Sequence, residues 1–527
     1  MSSAAAKDNS VENDKHGQNK GETNGNENDE LFGLDEESSN LAKILIVSKQ
    51  SGPVIASFFL GLVGTFVNLL FAGRYVPTDG DRSVVFAGVS LANMFVNVTC
   101  LSLLIGMSSA VETLGSQHNG AGNYMKVGLV LQRSIAILTA MCIPLLFLWF
   151  FVYDIYLYIG VERDVCEVIK SYVYIRALAV PIDIVNESYE KYLMSIGVME
   201  PSMWSNVAFN AFLLAFNCLF VFGFGWGYRS LAYSWLISTF LMASVLIGLS
   251  LYYPQVRRTL QPLDWRALKD WKEFIMLGLP GTVMLCSEWW AFEFLMLMAT
   301  FLGTHEVAAQ AIILQISSIS FMVPLGIGVT CASIVGNAIG AGKMQLAQQI
   351  GKLCLVYSTF INIILGILIV TLGDQFVALF TSDPHVIRVT DSAIPFLSMF
   401  IMIDGLQGVA SGVLRGAGKQ FVGAIANVIA FYGVGLPLAY LICFRLHRGV
   451  DGLIIGIAGG SLVQVSVLLA LIFCFQEYLY SANIVQKDAV FSPLRMDESV
   501  HSDDTGMEMG QISDQQHQQD NEESEEE

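Results

Sequence analysis

The sequence predicts an all-α polytopic membrane protein, with twelve transmembrane helices arranged as two pseudo-symmetric six-helix bundles. Three observations predict it. Of the 527 residues, 54% are hydrophobic and 14% charged, where a soluble chain carries about a quarter charged. Apolar runs of about 20 residues or more recur along the chain, long enough for helices to cross a bilayer and far longer than the strands of a membrane β-barrel. Short identities also recur at an offset of 220 to 221 residues, the mark of two related halves.

Taken in order, the spans fall at roughly 50–73, 84–108, 127–155, 166–190, 200–223 and 229–253, then 273–302, 307–335, 348–373, 386–413, 421–445 and 452–478. An even number places both chain ends on one side. The loops and flanks of that side hold fourteen basic residues, Lys126, Arg257, Arg258 and Lys343 among them, against seven on the other. Excess positive charge puts the ends in the cytoplasm. Lys170 and Arg176 stand apart, inside span four. The most basic loop, 254–272, divides six spans from six. The expected organisation is an acidic cytoplasmic tail at 1–45, an N-terminal lobe at 46–255, a basic cytoplasmic linker at 256–272, a C-terminal lobe at 273–480 and a second acidic tail at 481–527.

The net charge of −18 belongs to the tails: residues 1–40 carry −7 and residues 484–527 carry −11, so the membrane part is neutral. Acidity therefore says nothing about the solute handled within the membrane. The tails are polar and poor in aromatics, which predicts disorder, and their charge disfavours docking on anionic lipid heads. Nine cysteines are scattered singly, so neither a disulfide framework nor a metal site is expected. Asn97-Val-Thr99 and Asn186-Glu-Ser188 match the glycosylation acceptor pattern but fall within spans. No basic-then-apolar leader opens the chain, so insertion is expected to use the first span.

The repeat is read from seven identities. Gly120-Ala-Gly122 after span two meets Gly340-Ala-Gly342 after span eight at an offset of 220. At 221, Leu193, Gly197, Asn206 and Val207 meet Leu414, Gly418, Asn427 and Val428. Six spans per half keeps both halves in the same orientation, related by an axis along the membrane normal, with a substrate site expected between them at mid-membrane.

Chemistry concentrates in span seven. Cys286-Ser-Glu-Trp-Trp-Ala-Phe-Glu293 places Glu288 and Glu293 in an apolar run with no Lys or Arg. A carboxylate at membrane depth costs about 2.5–3.5 kcal/mol on insertion scales, so two of them mark a functional site; the alternative is a pair of structural acids, or one acid lying near the interface. Five residues apart, they lie about 140° around a regular helix and share a point only if the helix bends. Asp404, in Phe-Ile-Met-Ile-Asp-Gly-Leu-Gln, is the third intramembrane acid of this half, and offset 221 pairs it with Asp183 in span four. Arg176, Asp183 and Glu187, at spacings of seven and four, read as an ion-pair stripe on one helix face, with Asp183 the candidate N-lobe acid. A buried carboxylate trades readily between proton and cation, which suits antiport, and the rings of Trp289, Trp290 and Phe292 suit aromatic or quaternary cations. The Gly-rich pieces lack a P-loop's Gly-Lys-Ser/Thr, so ATP is not expected to drive the cycle. No basic patch with interleaved aromatics points to nucleic acid, and no cofactor or enzymatic activity is expected.

These residues resemble the multidrug and toxic compound extrusion (MATE) transporters over about 45–480. Glu288-Trp-Trp-Ala-Phe-Glu293 is similar to the eukaryotic members' Glu-Trp-Trp-x-x-Glu. Glu112-Thr-Leu-Gly-Ser-Gln117, Gly336-Asn-Ala-Ile-Gly-Ala-Gly342, Gly412-Val-Leu-Arg-Gly416 and Gly435-Leu-Pro437 match in order. The resemblance implies two lobes that alternate access, exporting organic cations, drugs or metabolites in exchange for H⁺ or Na⁺. It makes Glu288, Glu293 and Asp404 the coupling residues, and Glu288, Trp289, Asn68, Asn210, Gln117 and Tyr432 the substrate contacts. Where many prokaryotic members carry acids in spans one and five, this chain has Asn68, Asn210 and Leu214, which favours H⁺ over Na⁺. The expected protein is a monomer in the plasma or vacuolar membrane, surrounded by lipid. A lipid-linked sugar flippase and a passive channel are the other readings; the first would want a more basic cavity.

Overall fold

Span one begins at Asn40, ten residues before the apolar run at 50, because Ser39 caps it: its Oγ accepts from the Ala42 N–H at 3.2 Å, closing one of the free donors of a helix start. The computed structural model describes residues 34–76, 82–474 and 476–479, and every regular element among them is helical. Of the tail expected at 1–45, the last six residues belong to span one; the rest up to residue 33, and the tail at 481–527, lie outside the described residues.

Eleven helices among the described residues are long and apolar enough to cross a membrane. They are Asn40–Arg74, Arg82–Gly120, Tyr124–Trp149, Glu200–Gly223, Arg229–Ser250, Trp271–Thr300, Thr304–Gly340, Met344–Phe380, Pro384–Gly416, Gln420–Arg445 and Gly449–Cys474, which are spans one to three and five to twelve. Span four is different. It is built as Arg163–Ala177 and Val180–Ser195. Pro181 brings no N–H and its ring collides with the carbonyl four residues back, so the first piece stops at Ala177. The continuous stripe expected there is corrected accordingly. Arg176 and Asp183 still meet, at 3.7 Å, but across the break, while Glu187 turns to accept from Ser108 Oγ at 2.9 Å.

The repeat holds in detail. Gly122 and Gly342 have φ of 74° and 75°, and Gly197 and Gly418 have 77° and 71°, a left-handed conformation that favours glycine. Contacts between the lobes are reciprocal. A Cβ on Gly120 would overlap the Asn337 carbonyl, and one on Gly340 would overlap that of Gln117. Gln117 Nε2 donates to Gly416 O at 3.1 Å; Asn337 Nδ2 donates to Ser195 O at 2.8 Å. Each residue of the first contact has its counterpart 220 or 221 positions away in the second, as a twofold axis between parallel halves requires.

These contacts seal one face of the molecule. Thr113 Oγ1 donates to Arg415 O at 2.8 Å and Asn119 Nδ2 to Asn337 Oδ1 at 2.8 Å. Buried Glu112 lies between Lys191 of its own lobe, at 3.9 Å, and Arg415 of the other, at 3.7 Å. Leu34 and Leu479, near the two described ends, pack in one apolar cluster with Ile339 and Leu346, so both ends sit on the sealed face. Span one, assigned above to the N-terminal lobe, serves both lobes. Val47 packs with Ile327 and Ile334 and Ser48 Oγ donates to Tyr357 OH at 3.0 Å, whereas Asn68 bonds Tyr172 and Asn217. The linker lies along span three, where Gln132 Nε2 donates to Gln261 O at 3.1 Å and to Pro262 O at 2.8 Å. The cysteines are less scattered than their spacing implied: Cys100 and Cys142 meet at 3.9 Å.

Candidate functional site

Above the seal the lobes part around a cavity of about 540 Å³, within the usual range for a small-molecule site. Spans one and two line it from the N-terminal lobe, and spans seven, eight and ten from the other. No Lys or Arg is among the lining residues.

Span seven gives it Glu288, Trp289, Trp290, Phe292 and Glu293, every residue from 288 to 293 except buried Ala291. At 100° per residue these five cover an arc of about 200°. Glu288 and Glu293 therefore border one cavity without a bend, because the helix stands into the space instead of facing it with a single stripe. Glu288 is 7% exposed and Glu293 exposed. Phe292 is held edge-on to Phe400 at 6.0 Å.

Asp404 enters from span ten, 3% exposed, its Oδ1 without a hydrogen-bond partner among the described residues. One turn on, Gln407 Nε2 donates to Glu288 Oε2 at 3.2 Å and contacts Ser411 Oγ at 3.2 Å. Gln407 thereby joins the two helices that carry the acids. Sequence reasoning passed over it, although a buried polar residue three places after Asp404 on an apolar span was the available signal.

The remaining candidates divide. Asn68 is fully buried, donating to Tyr172 OH at 3.2 Å and accepting from Asn217 at 3.0 Å; it stands one side chain behind the cavity, since Tyr172 OH donates to cavity-lining Asn93 at 3.2 Å. Asn210 ties span five to span one, donating to Leu60 O and Asn206 O at 2.9 Å each. Gln117 lies in the seal, not at the cavity. Tyr432 packs edge-on to Phe294 at 6.1 Å and is not among the lining residues. Asp183 is engaged by Arg176, whose guanidinium also lies 4.7 Å from the Trp235 ring.

Two repeated six-helix lobes with an acid-bearing cavity between them define a multi-pass membrane transporter. A family model described as MatE matches residues 53–219 and 280–441, one stretch in each lobe, and the chain belongs to that family of multidrug and toxin extrusion transporters. Multidrug and toxin extrusion protein 1 of Homo sapiens is 32% identical over 422 residues, 80% of this chain and 73% of that protein. An uncharacterized transporter of Schizosaccharomyces pombe is 32% identical over 432 residues, 81% of this chain and 78% of its own. The crystal structure of the eukaryotic MATE transporter AtDTX14 superposes with a TM-score of 0.77 at 27% identity, covering 85% of this chain and 98% of that one.

Proposed function

We propose that the protein is a secondary active antiporter that exports organic cations in exchange for H⁺ by alternating access. The observation that carries this reading is the placement of Glu288 and Asp404, both buried, in a cavity between the lobes with no basic residue in its lining. Uncompensated carboxylates at membrane depth are unfavourable, and either a proton or a bound cation relieves them. One proton entering per monocation leaving keeps the site's charge constant. The deprotonated pair takes a cation against Trp289, Trp290 and Phe292, whose rings attract it; protonation from the opposite side releases it. Gln407 orients Glu288 toward that exchange, and Glu293 adds negative charge for the arriving solute.

With the chain ends in the cytoplasm, as the basic loops favour, the sealed face is cytoplasmic and the cavity is open to the outside. Rocking the lobes so that the seal opens and the outer side closes would expose the same acids inward. The plasma membrane and an acidic vacuole both fit that polarity, and the cavity needs no second copy of the chain. H⁺ is favoured over Na⁺ because Asn68 and Asn210 are neutral and the Asn68 oxygen already accepts from Asn217. The lack of Lys and Arg in the lining argues against a lipid-linked sugar.

The test is efflux of a fluorescent organic cation from proteoliposomes under an imposed pH gradient, wild type beside Glu288→Gln. Transport by wild type alone, with both proteins folded, supports the reading. Normal transport by Glu288→Gln moves coupling away from Glu288. Transport driven by a Na⁺ gradient alone overturns the H⁺ assignment, and flux that ignores every gradient means a channel.

A further inference from the structure

Span two supplies the wall opposite the acids, and that wall is polar without being charged. Ser90, Asn93, Asn97 and Ser102 all line the cavity. The first three recur at spacings of three and four, one face of an α-helix. Ser102 follows Asn97 by five residues, which an α-helix would turn about 140° away. The backbone changes there: Asn97–Leu101 form a π turn, closed by the Ser102 N–H donating to the Asn97 carbonyl. An i→i+5 bond brings both residues to the same face.

Behind this wall runs a chain of donors. Asn217 Nδ2 donates to Asn68 Oδ1 at 3.0 Å, Asn68 Nδ2 to Tyr172 OH at 3.2 Å, and Tyr172 OH to Asn93 Oδ1 at 3.2 Å. Asn217, Asn68 and Tyr172 are fully buried. All three bonds point the same way, toward the cavity, and bonds in series polarise one another. The chain ends at Asn93, whose Nδ2 is buried and has no acceptor among the described residues. A donor left in this condition is unfavourable, and an acceptor brought by a ligand removes the penalty.

We infer that Asn93 forms a specificity subsite in the N-terminal lobe, donating to a carbonyl or ether oxygen of a cationic substrate whose charged nitrogen lies against Glu288 and Asp404. This rests on reading the cavity as an organic-cation site and narrows its substrate class to monocations that carry a hydrogen-bond acceptor a few bonds from the charge. Tyr172 acts through Asn93: by taking its Oδ1 it leaves the amide N–H₂ free for the ligand, so it is a positioning residue.

A matched pair of cations tests this without any gradient. Acetylcholine and n-pentyltrimethylammonium share charge and chain length, but only the first has ester oxygens. Calorimetric titration of the purified full-length protein should give about tenfold tighter binding of acetylcholine, the discrimination of one good hydrogen bond. Asn93→Leu should bring the ratio to about one without weakening n-pentyltrimethylammonium. Tyr172→Phe, which keeps the ring, should leave an intermediate ratio, and it carries the test alone if Asn93→Leu does not fold. Equal binding of the two cations by wild type, no binding of either, or a ratio that both folded variants leave unchanged overturns the subsite. Discrimination in binding with no gradient-driven transport leaves the subsite standing and fails the antiporter instead.

Discussion

Asp183 and Asp404 stand 221 residues apart at equivalent points of the two lobes, and their surroundings differ in every respect. Asp183 opens the second piece of span four, just after Pro181 has broken the helix, and lies 3.7 Å from Arg176. Asp404 sits inside the unbroken helix Pro384–Gly416, borders the cavity, and has an oxygen with no partner among the described residues. The duplication has kept the glycine turns, while the acid took its role from its neighbours. Beside a guanidinium it becomes architecture; beside a cavity it becomes available for exchange.

The sharpest way to break this comparison is to neutralise each acid in turn. Asp404→Asn should lower the initial rate of cation efflux from proteoliposomes by about 100-fold or more, the scale of losing a proton-transfer group, with the protein still folded. Asp183→Asn should change that rate by less than about threefold. A folded Asp183→Asn that is as dead as Asp404→Asn would make the N-terminal acid a coupling residue and erase the distinction.

Next in size is the ion pair itself. Arg176→Met leaves Asp183, only 15% exposed, without its partner and should destabilise the protein by about 3–5 kcal/mol, whereas removing both charges with Arg176→Met/Asp183→Leu should recover most of that. Denaturant unfolding of the purified variants checks both. Failure of the double variant to recover would show that Arg176 matters through its contact with Trp235 and not through Asp183.

The same comparison predicts where the lobes should still behave alike. Gly120 and Gly340 face carbonyls of the opposite lobe in reciprocal fashion. Gly120→Ala and Gly340→Ala should each strain the seal by about 1–3 kcal/mol, the range for overpacking a tight contact. Each should raise the labelling rate of a cysteine introduced at Thr113, beneath the cavity and within the seal. A large effect from one and none from the other would mean that the symmetry there is only apparent.

These contrasts mark what the sequence disclosed. Spans, repeat and the acids Glu288 and Asp404 were legible because each is a departure from apolar background that needs no knowledge of neighbours. The break in span four was announced by Pro181, yet the helical spacing of Arg176, Asp183 and Glu187 argued for an unbroken face, and the steric rule won. Gln117 was placed at the substrate because it belongs to a family motif, and motif membership carries no depth; its carbonyl partner, Gly416, is 299 residues away. The relay of Asn217, Asn68, Tyr172 and Asn93 was illegible for the same reason, since no spacing relates residues on four different spans.

The smallest expected effect concerns a third aspartate, outside the bilayer. Asp383 caps span ten: its Oδ1 accepts from the His385 N–H at 2.8 Å, and its other oxygen lies 3.3 Å from His305 Nδ1. The His385 N–H, helped by the His305 imidazole, holds this carboxyl below the usual carboxylate range. A lowered carboxylate stabilises the fold at every pH above its ordinary value, and the contribution fades as pH falls through the lowered one. Asp383→Asn keeps a capping oxygen, so it should lower the melting temperature less than any variant above, and the difference from wild type should vanish in acid. The distance is shorter than that of Arg176 to Asp183, but both partners are in water, where an ion pair contributes little. If Asp383→Asn proved as damaging as Arg176→Met, burial would not be the variable that separates the aspartates, and the contrast between Asp183 and Asp404 would need another cause.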